Sequence, residues 1–473
     1  MAALNHVEIA PLRPERFEEI LEADVYARFG EVIRHGRSLL KGRRVWNVNS
    51  TARGGGVAEM LAPLLAYARG ADIEARWVVI EGNEDFFAVT KRIHNNLHGA
   101  PGDGGPLGDH ERDIYERTLR ANAHLFEKVV GPMDVVILHD PQTAGLTAAL
   151  KKTGATIIWR CHVGLDTPNE LARAAWDFLR GFVSPADAYV FSRPAFAWEG
   201  LDEDRIVVIP PSIDAFSPKN QDLSSENVDS ILASTGMFEG PVTDARFVRV
   251  DGRPDVVERK TEMVGAGAPP AGTPIVVQVS RWDRLKDPLG VLRGFIEYIA
   301  PNTGAHLVLA GPAVAAVADD PEGKSVLEEV VSAWRDVAPD VRRRVHLACM
   351  PMEDGEENAA IVNALQRRAD VIVQKSIAEG FGLTVAEGMW KARPVVASRI
   401  GGIQDQIEHG RSGILLDDPH DLAVFGSEIV GLLNDPERAK KIGQAACKRV
   451  LQDYLGPRHL TQYFDLIRRL LDR

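Results

Sequence analysis

Asp370-Val-Ile-Val-Gln374, followed at once by Glu379-Gly-Phe-Gly-Leu-Thr-Val-Ala-Glu387, decides how this chain folds. The short apolar run bounded by polar residues reads as a buried strand. It delivers Glu379 to the carboxyl edge of a sheet, where α/β proteins bind ligands. In the turn Gly380-Phe381-Gly382 the glycines let the backbone approach a ligand closely, and a helix opens near Leu383. The first free N–H groups, those of Gly382, Leu383 and Thr384, point outward with the positive end of the helix dipole, which suits a diphosphate. Glu387 stands one helical turn beyond Leu383, so its carboxylate reaches past the phosphates to a ribose. The outline is that of a site for a nucleotide-activated sugar. Taken alone, two glutamates eight apart also read as a solvated helix face.

A second element narrows the choice. Pro274-Ile-Val-Val-Gln-Val-Ser280 is another buried strand, and it runs straight into Arg281-Trp-Asp-Arg-Leu-Lys286. Arg281 and Lys286 at a strand end offer one anion two cations, a planar fork and a point charge.

Together these segments resemble the retaining glycosyltransferases of family 4, which have the two-domain GT-B fold. Further stretches are similar to the trehalose glycosyltransferring synthases of that family: Val48-Asn-Ser-Thr51 with Gly54-Gly-Gly-Val-Ala-Glu59, Glu74-Ala-Arg-Trp-Val-Val-Ile-Glu-Gly82, His139-Asp-Pro-Gln142, Trp159-Arg-Cys-His162, Ile209-Pro-Pro-Ser-Ile213 and Asp319-Asp-Pro-Glu-Gly323. The resemblance runs from about Lys41 to the C-terminus. It implies transfer of glucose from a nucleoside-diphosphate glucose to free glucose. Arg281 and Lys286 would steady the leaving diphosphate, Glu379 would hold the donor sugar, and Glu387 would bind the ribose. It also implies no protein-bound cofactor. The donor base stays open among ADP-, UDP- and GDP-glucose, with Mg2+ as an optional stimulant and no metal ligand set. A retaining trehalose phosphorylase, a family 4 enzyme with another sugar acceptor, and a non-catalytic nucleotide-sugar binder or epimerase remain as alternatives.

The N-terminal half holds the acceptor-side candidates. Gly54-Gly55-Gly56 sits where a strand hands over to the helix Val57–Arg69, and three successive glycines are costly in chain entropy unless a ligand approaches the backbone. In the family this loop faces acceptor and transferred group, so Gly54 is assigned to the acceptor and Gly55 and Gly56 to the donor. His162 ends a strand. A lone histidine is commonly structural, but the family's matching residue lies beside the anomeric centre. Asp140, also at a strand end, reads equally as a loop cap before Pro141 and as an acceptor ligand, and Glu81 closes the strand Ala75–Ile80. Cys161 points away from the face His162 uses, because side chains alternate along a strand.

The remaining pattern is strand, loop, helix, repeated. Strands are expected near Val45–Asn49, Ala75–Ile80, Val135–His139, Thr156–Cys161, Ala188–Phe191 and Ile206–Ile209. A second set follows near Ile275–Ser280, His306–Ala310, Val345–Cys349, Val371–Gln374, Pro394–Ala397 and Gly413–Leu416. The fold class is therefore α/β, two Rossmann-like domains with parallel sheets facing a central cleft. Residues 1–212 form the acceptor domain and 213–451 the nucleotide-sugar domain. A C-terminal helix over 452–473 crosses back. Residues 219–272 read as an insertion with a hairpin at Asp251-Gly252, a surface ornament first, with a lid or an oligomer contact as alternatives.

Bulk properties exclude other classes. The 473 residues carry 55 Lys+Arg against 67 Asp+Glu, a net charge of -12, which argues against nucleic acid and anionic membrane as partners. Small sugars are the expected partners, and a homodimer is left open. Met1-Ala-Ala-Leu-Asn-His-Val-Glu8 is too polar for a signal peptide. No stretch approaches the ~20 apolar residues of a membrane span. Cys161, Cys349 and Cys447 lack metal spacing, which points to a reducing cytoplasm.

Overall fold

The computed structural model describes residues 4–52, 55–265, 267–313 and 321–472. The chain forms two compact units: Met1–Ser212 with Tyr454–Arg473, and Ile213–Asp453.

The first unit is built on a seven-stranded sheet: β1 (Asn5–Val7), β2 (Arg44–Asn49), β3 (Glu74–Val79), β4 (Val135–His139), β5 (Thr156–Cys161), β6 (Ala188–Phe191) and β7 (Ile206–Val208), in the order β1-β3-β2-β4-β5-β6-β7. From β3 to β7 every pair is parallel. All residues of β4 and β6 are buried, as a sheet covered by helices on both faces requires. The order reverses between β2 and β4. At such a switch point the two following loops diverge and leave a crevice at the carboxyl ends, and Asn49 and His139 end those two strands. The C-terminal helix Gly456–Leu471 belongs to this unit and buries Leu460, Phe464, Leu466 and Ile467.

The second unit repeats the scheme. After the hairpin β8 (Arg246–Val248) and β9 (Pro254–Val256) come β10 (Glu262–Val264), β11 (Ile275–Val279), β12 (His306–Pro312), β13 (Val345–Met350), β14 (Val371–Gln374), β15 (Val395–Ser398) and β16 (Ile414–Leu416). Their sheet runs β10-β13-β12-β11-β14-β15-β16 and reverses between β11 and β14, the two strands that carry the candidate donor residues.

The two parallel α/β sheets are as expected, with one antiparallel edge strand added to each. The sheets are mixed, because β1 pairs antiparallel with β3 and β10 antiparallel with β13. These two edge strands, Asn-His-Val and Glu-Met-Val, offer no apolar run to read, whereas the equally short edge strands β7 and β16 are wholly apolar and were expected. The 219–272 segment is no surface ornament. It holds the helix Ser225–Thr235, whose first turn is capped by Ser224 Oγ accepting from the Asn227 N–H at 3.1 Å. Ile231, Leu232, Met237, Phe247 and Val257 within the segment are buried. Its base is bound to the helix Gly355–Arg368: Asn363 Nδ2 donates to the carbonyls of Pro218 (3.1 Å) and Gln221 (2.9 Å), and Glu357 Oε1 accepts the N–H groups of Glu258 (2.7 Å) and Arg259 (2.6 Å). Residues Ala360–Gln366 of that helix are all buried, so both of its faces need cover, and the segment supplies one.

Among the described residues, no helix is long and apolar enough to cross a membrane.

Candidate active site

In the second unit the loops after β11 and β14 bring Lys286 and Glu379 together. Lys286 Nζ lies 2.5 Å from Glu379 Oε2, with side chains only 17% and 14% exposed. Arg281 keeps 63% of its side chain exposed while Nη2 contacts Asp283 Oδ2 at 2.6 Å. The cation loop is held from beneath: Gln278 Nε2 donates to the Lys286 carbonyl at 2.8 Å, and the Ile377 N–H to the Leu285 carbonyl at 2.7 Å. The latter bond ties the loop after β11 to the loop after β14. Lys375, fully buried, pairs with Asp287 and donates to the Pro419 carbonyl at 2.7 Å. Asp287 has a positive φ of 49° and caps the helix Pro288–Gly294.

The turn Gly380-Phe381-Gly382 leads into the helix Leu383–Trp390, with Gly382 at φ 79° and no side-chain cap on the helix start. Leu383 and Thr384 thus open a helix terminus suited to an anion. Glu387, on that helix, is 1% exposed, and its Oε1 lies 3.6 Å from Lys219 Nζ. Two glycines that the sequence reading missed shape the turn. The Gly402 N–H donates to the Gly380 carbonyl at 2.7 Å, and a Cβ on Gly401 would stand 1.9 Å from the Glu379 carbonyl oxygen. The pair Gly401-Gly402, separated from β15 by two residues, was the available signal.

In the first unit, Asp140 and His162 meet at the ends of β4 and β5: Asp140 Oδ1 accepts the His162 N–H at 2.7 Å. Asp140 has a φ of 64°, in the left-handed region that aspartate and asparagine enter more readily than most side chains. Burial pushes its carboxyl up to about 7, against the opposing pull of the His162 N–H and the Arg160 charge. The turn is braced by Tyr115, whose hydroxyl donates to the Pro141 carbonyl at 2.5 Å, and by Trp159, whose Nε1 donates to the Asp140 carbonyl at 3.2 Å.

His162 Nε2 lies 3.1 Å from His139 Nδ1, and the two rings stack at 5.4 Å between centroids. His139 Nε2 in turn lies 3.1 Å from Asn47 Oδ1. Burial holds both imidazoles neutral, His139 down to about 3 and His162 well below its usual range. The fully buried Arg160 directs Nη1 to the Ile209 carbonyl (2.5 Å), Nη2 to Ser192 Oγ (3.3 Å) and Nε to His162 Nδ1 (3.5 Å). His139, Asn47 and Arg160 were not singled out from sequence, although His139 and Arg160 lie inside the quoted motifs. Cys161 is buried in the core, and burial raises its thiol well above the usual range.

Glu81 is exposed, and its backbone is gripped at both ends by Asn122, which accepts the N–H at 2.9 Å and donates to the carbonyl at 2.8 Å. Gly55 has a φ of 80° and precedes the helix Gly56–Gly70. Gly54 and the pair Asp319-Asp320 lie outside the described residues. Among the described residues no three His, Cys, Asp or Glu side chains form a metal-binding group.

Comparison with known proteins finds matches in both halves of the chain. Residues 47–198 match the family model "Trehalose synthase, N-terminal domain", and residues 355–449 match "Glycosyl transferases group 1". The chain is 36% identical to the trehalose synthase of Pyrococcus horikoshii, over 91% of each chain. It is also 36% identical to that of Rubrobacter xylanophilus, over 96% of each. Among solved structures, a UDP-forming α,α-trehalose-phosphate synthase from Burkholderia vietnamiensis superposes with a TM-score of 0.65 at 14% identity, over 91% of this chain and 99% of that one, a likeness of fold. With a GT-B fold and this identity sustained along nearly the whole chain, the protein belongs to the trehalose synthase family of glycosyltransferases.

Proposed function

We propose that the protein transfers glucose from a nucleoside-diphosphate glucose to free glucose, with retention at the anomeric carbon, giving α,α-trehalose. The observation that carries this reading is the Lys286–Glu379 contact beside Arg281, at the switch point of the second sheet and ahead of an uncapped helix start. An incoming diphosphate takes Lys286 from Glu379. The freed carboxylate then accepts hydroxyls of the donor sugar and fixes its orientation.

As the bond to C1 breaks, positive charge grows on the sugar and negative charge on the β-phosphate. Arg281, the amides near Leu383 and, once released from Glu379, Lys286 then serve that anion, and each such donor is worth on the order of 10²–10³ in rate. No protein nucleophile is assigned. The acceptor attacks on the face the phosphate leaves, and the departing phosphate takes its proton. Asp140, held at the His162 N–H, and Glu81 supply the acceptor hydroxyl contacts, and Gly55 and Gly56 the close backbone approach.

The test is product identification by NMR with 13C-labelled glucose and a panel of ADP-, UDP- and GDP-glucose, run beside trehalose with phosphate. A labelled non-reducing disaccharide formed from one of the nucleotide sugars supports the reading. A reducing disaccharide, or turnover only with trehalose and phosphate, overturns it.

A further inference from the structure

Arg160 sets a direction on the buried polar chain of the first unit. A guanidinium N–H can only donate, so His162 Nδ1 is an acceptor and its proton sits on Nε2. That N–H donates to His139 Nδ1, which places the His139 proton on Nε2, and this in turn donates to Asn47 Oδ1. The Asn47 amide is thereby turned one way. Its Nδ2, on a side chain 3% exposed, has no hydrogen-bond partner among the described residues.

A second buried nitrogen is in the same state. His459, on the C-terminal helix and 0% exposed, meets Ser212 Oγ through Nδ1 at 2.8 Å, while its Nε2 has no partner among the described residues. Asn47 and His459 line one cavity of about 60 Å³, together with Tyr463, which stacks on His459, and apolar walls such as Met60, Leu64 and Phe464. A water needs roughly 10–15 Å³ of such space and two to four polar partners, and buried donors left without one are costly. The cavity has room for ordered water, and Asn47, His459 and Tyr463 are the polar groups of its otherwise apolar lining.

We propose that this cavity is a site for ordered water that joins His459 to Asn47, so that the C-terminal helix positions His162 through Asn47 and His139. The water oxygen accepts from Asn47 Nδ2, and water serves His459 Nε2 in either tautomer because it both donates and accepts. His459 is thus a positioning residue. The same helix also grips the segment where the chain leaves this unit: Arg458 donates to the carbonyls of Pro210 at 2.7 Å and Pro211 at 2.6 Å. The catalytic consequence rests on the proposed transfer reading, with His162 beside the anomeric centre as the family resemblance implies; the water site and the tautomers do not.

The wild-type protein tests the site directly. A high-resolution crystal structure should show water density between Asn47 and His459, and imidazole 15N shifts should report Nε2–H tautomers for both His139 and His162. An empty cavity, or an Nδ1–H tautomer at either residue, overturns the proposal. His459→Phe keeps the ring stack and removes both nitrogens. It should lower kcat about tenfold or more at unchanged donor KM, on the scale that a displaced group costs rate, and it should perturb the two imidazole spectra. His459→Gln, which returns a polar group near Nε2, should restore most of the rate. Unchanged kcat and spectra in H459F, or H459Q no better than H459F at equal Tm, would refute the positioning role. Absence of any glucosyl transfer in the wild type would instead defeat the proposed function and leave the water and tautomer results standing.

Discussion

Lys286 and Glu379, ninety-three residues apart, form a largely buried ion pair with Nζ 2.5 Å from Oε2. Each is the other's partner before any donor arrives, so the two have separable effects. Lys286→Ala should lower kcat by roughly 10²-fold with a smaller change in KM, because its partner charge is greatest in the transition state. Glu379→Gln should also lose transfer, yet bind the nucleoside diphosphate product more tightly, since Lys286 is no longer held. Calorimetric titration with the diphosphate checks this, and weaker binding would contradict the competition.

Glu387 should act on affinity rather than on rate. Its carboxylate is buried beside Lys219, and ribose contacts differ little between ground and transition states. Glu387→Gln is expected to raise donor KM several-fold with kcat near normal. Steady-state kinetics with varied donor decides it.

Lys375, fully buried, pairs with Asp287, which is half-buried and also accepts the Gly290 N–H. Lys375→Met leaves the Asp287 carboxylate without its ammonium and should destabilise the protein by less than the ~3–5 kcal/mol that breaking a fully buried pair costs. Adding Asp287→Asn removes the stranded charge, so urea unfolding of the double variant should recover part of that loss.

Asp140 carries a pH signature. Its carboxyl moves from an ordinary 3.8 to about 7, so the folded state holds the proton more tightly than the unfolded chain. The stability this gives is complete below about 3.8 and is lost as pH rises through about 7. Asp140→Asn cannot ionise, still accepts the His162 N–H, and tolerates the positive φ. Its Tm relative to wild type should therefore climb between pH 4 and pH 8. A constant difference across that range would show that Asp140 does not titrate there.

Gly401 tests the turn that presents Glu379. At φ 46°, and with a Cβ position 1.9 Å from the Glu379 carbonyl oxygen, alanine cannot fit unless the loop moves. Gly401→Ala should cost activity through Glu379 about as heavily as misplacement of a reacting group does, on the order of 10²-fold. Kinetics beside circular dichroism separates this from unfolding.

Much of this molecule could be read locally. Runs such as Val371–Gln374 and Ile275–Val279 are buried throughout and apolar but for one glutamine each, because both faces of their sheet are covered, and that pattern belongs to the segment itself. The loops that follow them carry Arg281, Lys286 and Glu379, so the placing of these residues at strand ends needed only the order of elements. The three-residue edge strands β1 and β10 did not announce themselves, since their pairing is decided by what the neighbouring strand leaves open. Which residues touch was settled by tertiary structure alone. Lys375 looks like a surface lysine until Asp287 and the Pro419 carbonyl enclose it. His459 reaches Ser212 across 247 positions of sequence, and Arg160 orients two imidazoles only because β4 and β5 lie side by side. Hydrophobic periodicity is a property of consecutive residues and survives in the sequence. The partner of a buried polar group is a property of packing, and it exists only once the chain has closed around it.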